Sequence, residues 1–258
     1  MSTPKIIKYQ LQDVFRSKWI WAYALFFFAI TEALFRFGGD GDRVITSMMN
    51  VVLLVIPLIS IVLGAMYLYN SREYIELLLC QPVKRSSLFM GLFSGVTLPL
   101  STAFAVGVAV PFLMRGSEIA STLFLLITGI LLTVIFVAMA FGLALSFEDR
   151  IKGLGIALVL WLFFTVIYDG IILLIIYGFS DYPLQQPVIV LSMLNPVDLG
   201  RILLLLNYDI SALMGFTGAV FQRFFGSLAG QSISLTAMGL WLAIPFWLGR
   251  RAFLKRNF

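Results

Sequence analysis

The sequence lacks histidine and has a single cysteine, Cys80, among its 258 residues. This excludes an intrachain disulfide and a metal site built from several histidine and cysteine ligands. The glycine-rich pattern Gly-x-x-x-x-Gly-Lys-Ser/Thr, which cradles nucleotide phosphates, is also absent, so no P-loop is predicted on this chain. We therefore predict no catalytic residue, no metal ligand and no cofactor on the chain itself.

Charged residues are scarce as well. They make up 12% of the chain, whereas hydrophobic residues make up 60%, which is far more apolar than a soluble domain. The second to fifth apolar runs each exceed the roughly 20 residues that cross the hydrocarbon layer, the first is marginal, and the sixth is the last clear run. The sequence predicts an all-α polytopic membrane protein with six transmembrane helices and an amphipathic N-terminal segment, residues 1–18. The six runs are Trp19–Phe37, Val44–Tyr69, Leu88–Met114, Ile119–Ser146, Leu154–Gly178 and Ser232–Leu248.

The basic residues predict the orientation of these spans. If both termini are cytoplasmic, 13 of the 18 Lys and Arg residues lie on the cytoplasmic side, as the positive-inside rule requires. The net charge of +5 therefore reports membrane topology and does not indicate binding to nucleic acid. We expect a multi-pass protein of the bacterial inner membrane. The five basic residues on the other side are Arg36, Arg43, Arg115, Arg201 and Arg223.

A short charged segment, residues 70–87, separates the second and third apolar runs. Glu73 and Glu76 share one face of a predicted helix with Cys80, four positions further on. Ile75 and Leu78 fall on the opposite face. The spacing therefore predicts a short helix that lies along the membrane surface with its acidic side exposed.

Both ends of this segment carry helix signals. Asn70, three residues before Glu73, is predicted to cap the helix. Pro82 ends it, because proline lacks an N–H and disfavours helical geometry at the preceding residue. Ser86 is then predicted to cap the third span.

The stretch between the fifth and sixth runs, residues 179–231, is apolar but interrupted by charges that are costly in lipid. We predict an external excursion with amphipathic helices, one of which starts at Asn195 with Pro196 in its first turn. Two additional spans would preserve the same parity, so eight spans is the alternative.

Glu32 and Asp169 are the two acids inside apolar runs. An acid within the membrane is a functional candidate by default. The alternative for each is a position near the membrane interface, or a bond to backbone or to a neighbour such as Arg36.

The segment Glu73–Arg85, which reads E-Y-I-E-L-L-L-C-Q-P-V-K-R, resembles the coupling helix of ABC-2-type permeases. Tyr74 and Ile75 stand where that family often has glycine and threonine. The resemblance implies one ABC-2-type transmembrane domain, residues 1–258, whose coupling helix docks into a groove of a cytosolic ATPase dimer on separate chains, which bind ATP and Mg²⁺. The implied coupling residues are Glu73, Glu76, Leu77, Leu78, Cys80, Gln81, Pro82 and Arg85.

Residues 167–170 and 195–221 resemble the permease subunits of the Nos-type transporters, which serve the maturation of nitrous oxide reductase. This resemblance implies a homodimer that binds a periplasmic β-helical protein, within an assembly that handles copper and includes a copper chaperone lipoprotein. Membrane lipid is a further partner. The residues expected to dock the periplasmic partner are Asn195, Asp198, Arg201, Asp209 and Arg223.

Two other functions remain open from the sequence. One is an ABC-2 exporter subunit for a lipid, glycan or drug, which shares the coupling helix but needs no periplasmic protein. The other is an intramembrane enzyme that uses Glu32 and Asp169 and would act without an ATPase.

Overall fold

The computed structural model describes residues 16–38, 41–115, 119–179, 185–207 and 228–256, together with residues 11 and 14. Within these residues the chain folds into helices joined by short connections, and no strand is formed. The all-α prediction is therefore confirmed. Asp209, Arg223 and most of the amphipathic segment 1–18 lie outside the described residues.

Six helical segments of the described chain are long and apolar enough to cross a membrane, which confirms the six predicted spans. The fifth span is one continuous helix, Arg150–Gly178, in which a π-helical turn, Phe163–Ile167, separates α6 from α7. The helices are α1 Lys18–Gly38, α2 Gly41–Asn70, α3 Arg72–Leu79, α4 Arg85–Met114, α5 Ile119–Ser146, α6 Arg150–Leu162, α7 Tyr168–Gly178, α8 Gln185–Met193, α9 Pro196–Asn207 and α10 Leu228–Lys255.

The bundle is centred on α5, which packs against α2, α4 and α10. Glycines permit close approaches of α5 and α4 to their neighbours. A Cβ on Gly129 of α5 would overlap the ring of Phe104, and a Cβ on Gly107 of α4 would lie 2.6 Å from the carbonyl oxygen of Ala24. The spans at the periphery are the fifth and the sixth, with only 11% and 17% of their most apolar stretch buried.

The helix expected from Asn195 is present as α9, and a further helix that the sequence did not predict, α8, precedes it. The chain bends by 109° between α8 and α9, at Leu194 and Asn195. The two helices add a seventh span only if together they cross the membrane once. α9 packs against α5, α10 and α2. This part of the excursion therefore belongs to the body of the bundle.

Two predicted helix caps are wrong. Asn70 is the last residue of α2, and Ser71 precedes α3 with its hydroxyl bonded to the carbonyl of Tyr67. α4 begins at Arg85, so Ser86 is already inside it and Lys84 holds the cap position. The first cap fails because only Ser71 separates α2 from α3, and the second because α4 begins one residue earlier than predicted.

Two opposite faces of the bundle follow from this topology. The α3 face carries α3, the ends of α2, α5 and α10, and the starts of α4 and α6. The side of the bundle away from α3, here called the opposite face, carries the end of α1 and the end of α4 and, deeper in the bundle, the α8–α9 bend, which lies beside Phe164 and Trp241 near the middle of the fifth and sixth spans.

Candidate coupling site

α3 lies on the bundle with its two faces divided as the sequence predicts. Ile75 and Leu78 are buried in the core, while Glu73 and Glu76 are exposed. Leu77 stands beside the two acids with 68% of its surface exposed. The apolar face of the helix is therefore packed on the bundle, and its other face presents two carboxylates and one apolar side chain outward.

The end of α3 forms an exposed corner. The amide of Cys80 donates to the carbonyl of Glu76, and the amide of Val83 donates to that of Gln81 at 2.7 Å. Cys80, Gln81 and Pro82 are all exposed. These three residues continue the outward surface of α3, as the sequence resemblance implies.

Arg72, the first residue of α3, was not singled out from the sequence. Its Nη1 donates to the carbonyl of Glu148 at 2.7 Å, and its Nη2 donates to the carbonyls of Phe147 and Ala144 at 2.9 and 3.3 Å. The guanidinium also lies over the ring of Tyr69, 4.6 Å from its centroid. Arg72 thus holds the start of α3 against the C-terminal end of α5, where carbonyls lack partners within the helix.

Tyr69 supports the same contact. Its hydroxyl donates to the carbonyl of Phe147 at 3.1 Å. A Cβ on Gly153, at the start of the fifth span, would overlap that hydroxyl. Glycine is therefore needed at this position for the fifth span to pass close to α2.

Arg85 follows the exposed corner and turns toward the C-terminal end of α10. Its Nη1 donates to the carbonyls of Leu254 and Arg256 at 3.2 and 2.9 Å. One helical turn earlier in α10, Arg250 donates to the hydroxyl of Ser86 at 3.0 Å. The start of α4 is thereby fixed to the end of α10.

Arg256 joins α10 to α5. Its Nη1 donates to the carbonyls of Leu145 and Ala144, the latter at 3.4 Å, and its Nη2 lies 4.0 Å from a carboxylate oxygen of Glu148. Ala144 therefore accepts from both Arg72 and Arg256. The reading of the sequence missed both residues, because their acceptors are main-chain atoms more than 70 positions away in the chain.

Asp169 belongs to a second polar network, on the opposite face. Arg201 donates to Asp169 at 2.8 Å and to Asp198 at 3.0 Å. Asn195 donates to Asp198 at 3.1 Å and to the carbonyl of Phe164 at 2.8 Å. Asn195 and Asp198 are buried and Arg201 is half-buried, so these three expected docking residues are bonded within the chain.

The helix bend beside this network is held by two aromatic side chains. The hydroxyl of Tyr168 donates to the carbonyl of Leu191 at 2.6 Å, and the indole of Trp241 donates to that of Met193 at 3.1 Å. Tyr168 directly follows the π-helical turn, and its amide donates to the carbonyl of Phe163, five residues back. The π-helical turn thus changes the hydrogen-bond register of the fifth span, and Tyr168 and Asp169, which follow it, lie beside α8 and α9.

Glu32 forms ion pairs on the opposite face, and one of its partners is Arg36, the neighbour named from the sequence. Its carboxylate accepts from Arg115 at the end of α4 and from Arg36 one turn along α1, the latter at 3.2 Å. Each of the two acids within apolar runs is thus neutralised by arginine, and the two belong to different networks.

A cavity of about 500 Å³ lies between α1, α2 and α4. It reaches from Ser17 and Asn70, at the α3 face, toward the middle of the spans. Its lining is largely apolar and includes Ile20, Val62, Leu63, Met66, Val96 and Leu100.

No protein-family model matches this chain. Two curated proteins are similar to it along almost its whole length. A protein of Pseudomonas aeruginosa named probable ABC transporter permease protein NosY is 26% identical, over 95% of this chain and 92% of the relative. The protein of the same name from Stutzerimonas stutzeri is 25% identical, over 95% and 92%. The chain resembles the NosY permeases of ABC transporters.

The resemblance predicted from residues 73–85 and 195–221 is therefore confirmed. It supports a multi-pass membrane protein that acts as a permease subunit of an ABC transporter, and it favours a transporter subunit over an enzyme.

Proposed function

We propose that this chain couples ATP hydrolysis on a separate cytosolic ATPase to a periplasmic partner during maturation of the copper site of nitrous oxide reductase. The observation that carries the proposal is α3, a short helix packed on one side and displaying Glu73, Glu76 and Leu77 on the other. The name of the two relatives adds the ABC transporter context.

The outward surface of α3 has the chemistry of a docking helix. Eight residues make a helix about 12 Å long, short enough to lie in a groove on a partner. Its two carboxylates suit a basic groove, and the exposed Leu77 supplies an apolar anchor at the centre of the contact. Cys80, Gln81 and Pro82 form the edge of this contact, with Leu78 fixing the helix from below.

The α3 face is cytoplasmic in this proposal, and both termini lie on the same side in a bacterial inner membrane. The distribution of basic residues supports this orientation. Two copies of the chain would meet two ATPase subunits, which carry the ATP and Mg²⁺.

The opposite face would bind a periplasmic β-helical protein, with a copper chaperone lipoprotein in the wider assembly. Arg201 has 29% of its side chain exposed, so it retains surface for such a contact. Asn195 and Asp198 act from within, by fixing the shape of α9. Asp209 and Arg223, outside the described residues, remain proposed contacts.

Charge reversal on α3 tests the proposed function. In the double variant Glu73→Lys, Glu76→Lys, the ATPase should no longer copurify with the chain, because two attractive contacts become repulsive. The expected loss of affinity is at least about a hundredfold, which corresponds to about 3 kcal/mol. The measurement is ATPase retention on the tagged, gently solubilised chain, together with reductase maturation in cells.

The matched control is Glu73→Gln, Glu76→Gln, which keeps the shape of α3 and should give an intermediate loss. Maleimide labelling of Cys80 from the cytosolic side, in membranes that contain the chain without the ATPase, shows that both variants are inserted correctly. Normal ATPase retention and normal maturation in the lysine variant would contradict the proposal.

A second candidate is an exporter subunit for an apolar cargo such as a lipid. The observation that favours it is the largely apolar cavity between α1, α2 and α4. This candidate predicts that the cargo stimulates ATP hydrolysis without any periplasmic protein. ATPase assays of the reconstituted complex, with and without added lipid, separate the two functions.

A further inference from the structure

We propose that Arg72, Arg85 and Arg256, here called the arginine ring, tie α3 to the ends of α5 and α10, and that Arg256 is a positioning residue for α3. Movement of α3 would then carry α5 and α10 with it. The way in which the arginine ring holds α3 does not depend on the proposed function. Only the consequence for coupling rests on the proposed role of α3.

The first link of the ring is made by Arg72. Three carbonyls at and just beyond the end of α5 accept from its two terminal nitrogens, at 2.7 to 3.3 Å. α3 therefore cannot lift from the bundle at its start without breaking this group of bonds.

The second link is made by Arg85 on the other side of α3. Its guanidinium is bonded to the main chain of Leu254 and of Arg256. The segment between the two links is Arg72 to Arg85, which contains all of α3 and its exposed corner. Both ends of the segment are thus fixed to other helices.

The third link closes the ring. The main chain of Arg256 accepts from Arg85, while its side chain donates to the carbonyls of Ala144 and Leu145. Since Ala144 also accepts from Arg72, the path returns to its starting point. Every carbonyl in the ring lies at or just beyond a helix C-terminus, where the helix dipole favours a cation.

Arginine suits these positions better than lysine. A guanidinium presents five N–H donors in a planar fork, whereas an ammonium has three donors around a single point. Arg72 and Arg256 each contact several carbonyls that are spread along the end of α5. A lysine would keep the charge but lose this simultaneous bonding.

The ring also connects α3 to the bend on the opposite face. α5 packs against α9, and Trp241 of α10 donates to the carbonyl of Met193 at the bend. The two helices held by the ring are therefore both in contact with the α8–α9 pair. Rigid helices of this kind carry a displacement along their length.

Cys80 gives a direct measurement, because it is the only cysteine and it is exposed beside α3. A nitroxide on Cys80 of the full chain in nanodiscs reports the mobility of this corner. We expect Arg256→Ala to raise the mobile fraction about tenfold, as for the loss of one hydrogen bond to a charged group. Arg256→Lys should not restore the wild-type spectrum.

The matched control is Lys255→Ala, which removes one positive charge from the adjacent exposed position. It should leave the nitroxide spectrum unchanged. Arg72→Lys combined with Arg256→Lys should change the mobile fraction by less than the product of the two single effects, because both side chains share the carbonyl of Ala144. An unchanged spectrum in Arg256→Ala, or equal effects of Arg256→Ala and Lys255→Ala, would overturn the ring.

The link to the bend is measured separately. A nitroxide at Leu194→Cys in a Cys80→Ser background lies at the bend, where Leu194 is 56% exposed. Arg256→Ala should raise the mobility of this nitroxide by a smaller factor than at Cys80. Unchanged mobility at position 194 would overturn the connection between the arginine ring and the bend. ATPase copurification with Arg256→Ala tests the coupling role alone, so its failure is distinguishable from failure of the ring.

Discussion

The two faces of this protein are both held by arginines, but the arginines bind different acceptors. On the α3 face Arg72, Arg85 and Arg256 bond to main-chain carbonyls at helix ends. On the opposite face Arg115 and Arg201 bond to carboxylates. A main-chain carbonyl is present whichever side chain its residue carries. A carboxylate can be neutralised by protonation or removed by substitution, and its arginine partner can then bind another carboxylate.

This difference suits the two faces to different tasks. The α3 face fixes helices to one another as rigid bodies, with directional bonds that few other side chains can make. The opposite face relies on ion pairs around a sharp bend, where a change of partner alters the arrangement. In the proposed function, the first face receives the movement of an ATPase and the second presents a changed surface to a periplasmic partner.

The largest expected effect tests the opposite face. Asp198→Ala should lower the free energy of unfolding by roughly 2–4 kcal/mol, because it removes a buried acceptor shared by Asn195 and Arg201, leaving these donors with the carbonyl of Phe164 and the carboxylate of Asp169. Steric trapping in bicelles measures this quantity. A loss below about 1 kcal/mol would show that the network contributes no more than an exposed pair.

Reversal of both charges sharpens this test. Asp198→Arg combined with Arg201→Asp would pair the two positions again, but the carboxylate introduced at position 201 would face Asp169. We therefore expect the double reversal to remain destabilised. Full recovery would show that Asp169 does not belong to the network.

A smaller effect is expected on the α3 face. Gly153→Ala should lower the free energy of unfolding by about 1–3 kcal/mol, since the added Cβ overlaps the hydroxyl of Tyr69. Thermal unfolding of the purified chain measures it. The control is Gly155→Ala, two residues on, where a Cβ meets no atom within 4 Å.

Removal of the hydroxyl makes this second test specific. Tyr69→Phe in the Gly153→Ala background should recover part of the lost stability, although it also removes the bond to Phe147. Equal destabilisation by Gly153→Ala and Gly155→Ala would contradict the close approach of the two helices.

The smallest effect is expected at Glu32, whose pair with Arg115 is partly exposed, at 24% and 44% of the side chains. Glu32→Gln should cost no more than about 1 kcal/mol, and the difference should shrink at high salt, which screens exposed charges. Thermal unfolding at low and high salt checks both statements. A large, salt-independent loss would place this pair with the buried network around Asp198.

Much of the coupling segment was predictable because it depends on local periodicity. Ile75 and Leu78 are buried and Glu73 and Glu76 are exposed, as helical spacing requires. Pro82 follows the end of α3 for a local reason as well. By contrast, nothing near Arg72 in the sequence identifies its acceptors on the last turn of α5, because a main-chain carbonyl leaves no residue signature.

The opposite face shows the same division. Asp198 and Arg201 lie three positions apart on α9, a spacing that brings opposite charges together on one helix face, and they are paired in the structure. The inclusion of Asp169 was not predictable, because it depends on the π-helical turn in the fifth span and on the 109° bend between α8 and α9. Both are departures from regular geometry that periodicity does not encode.

The sequence by itself determined the class of this protein, its six spans and the amphipathic division of α3, because long apolar runs and helical spacing act within a single segment. Only the tertiary structure decided which helix ends meet and which charges pair. Those contacts join residues up to 171 positions apart, and they form once the packing of α2, α4, α5 and α10 has brought unpaired helix-end carbonyls within reach of arginine side chains.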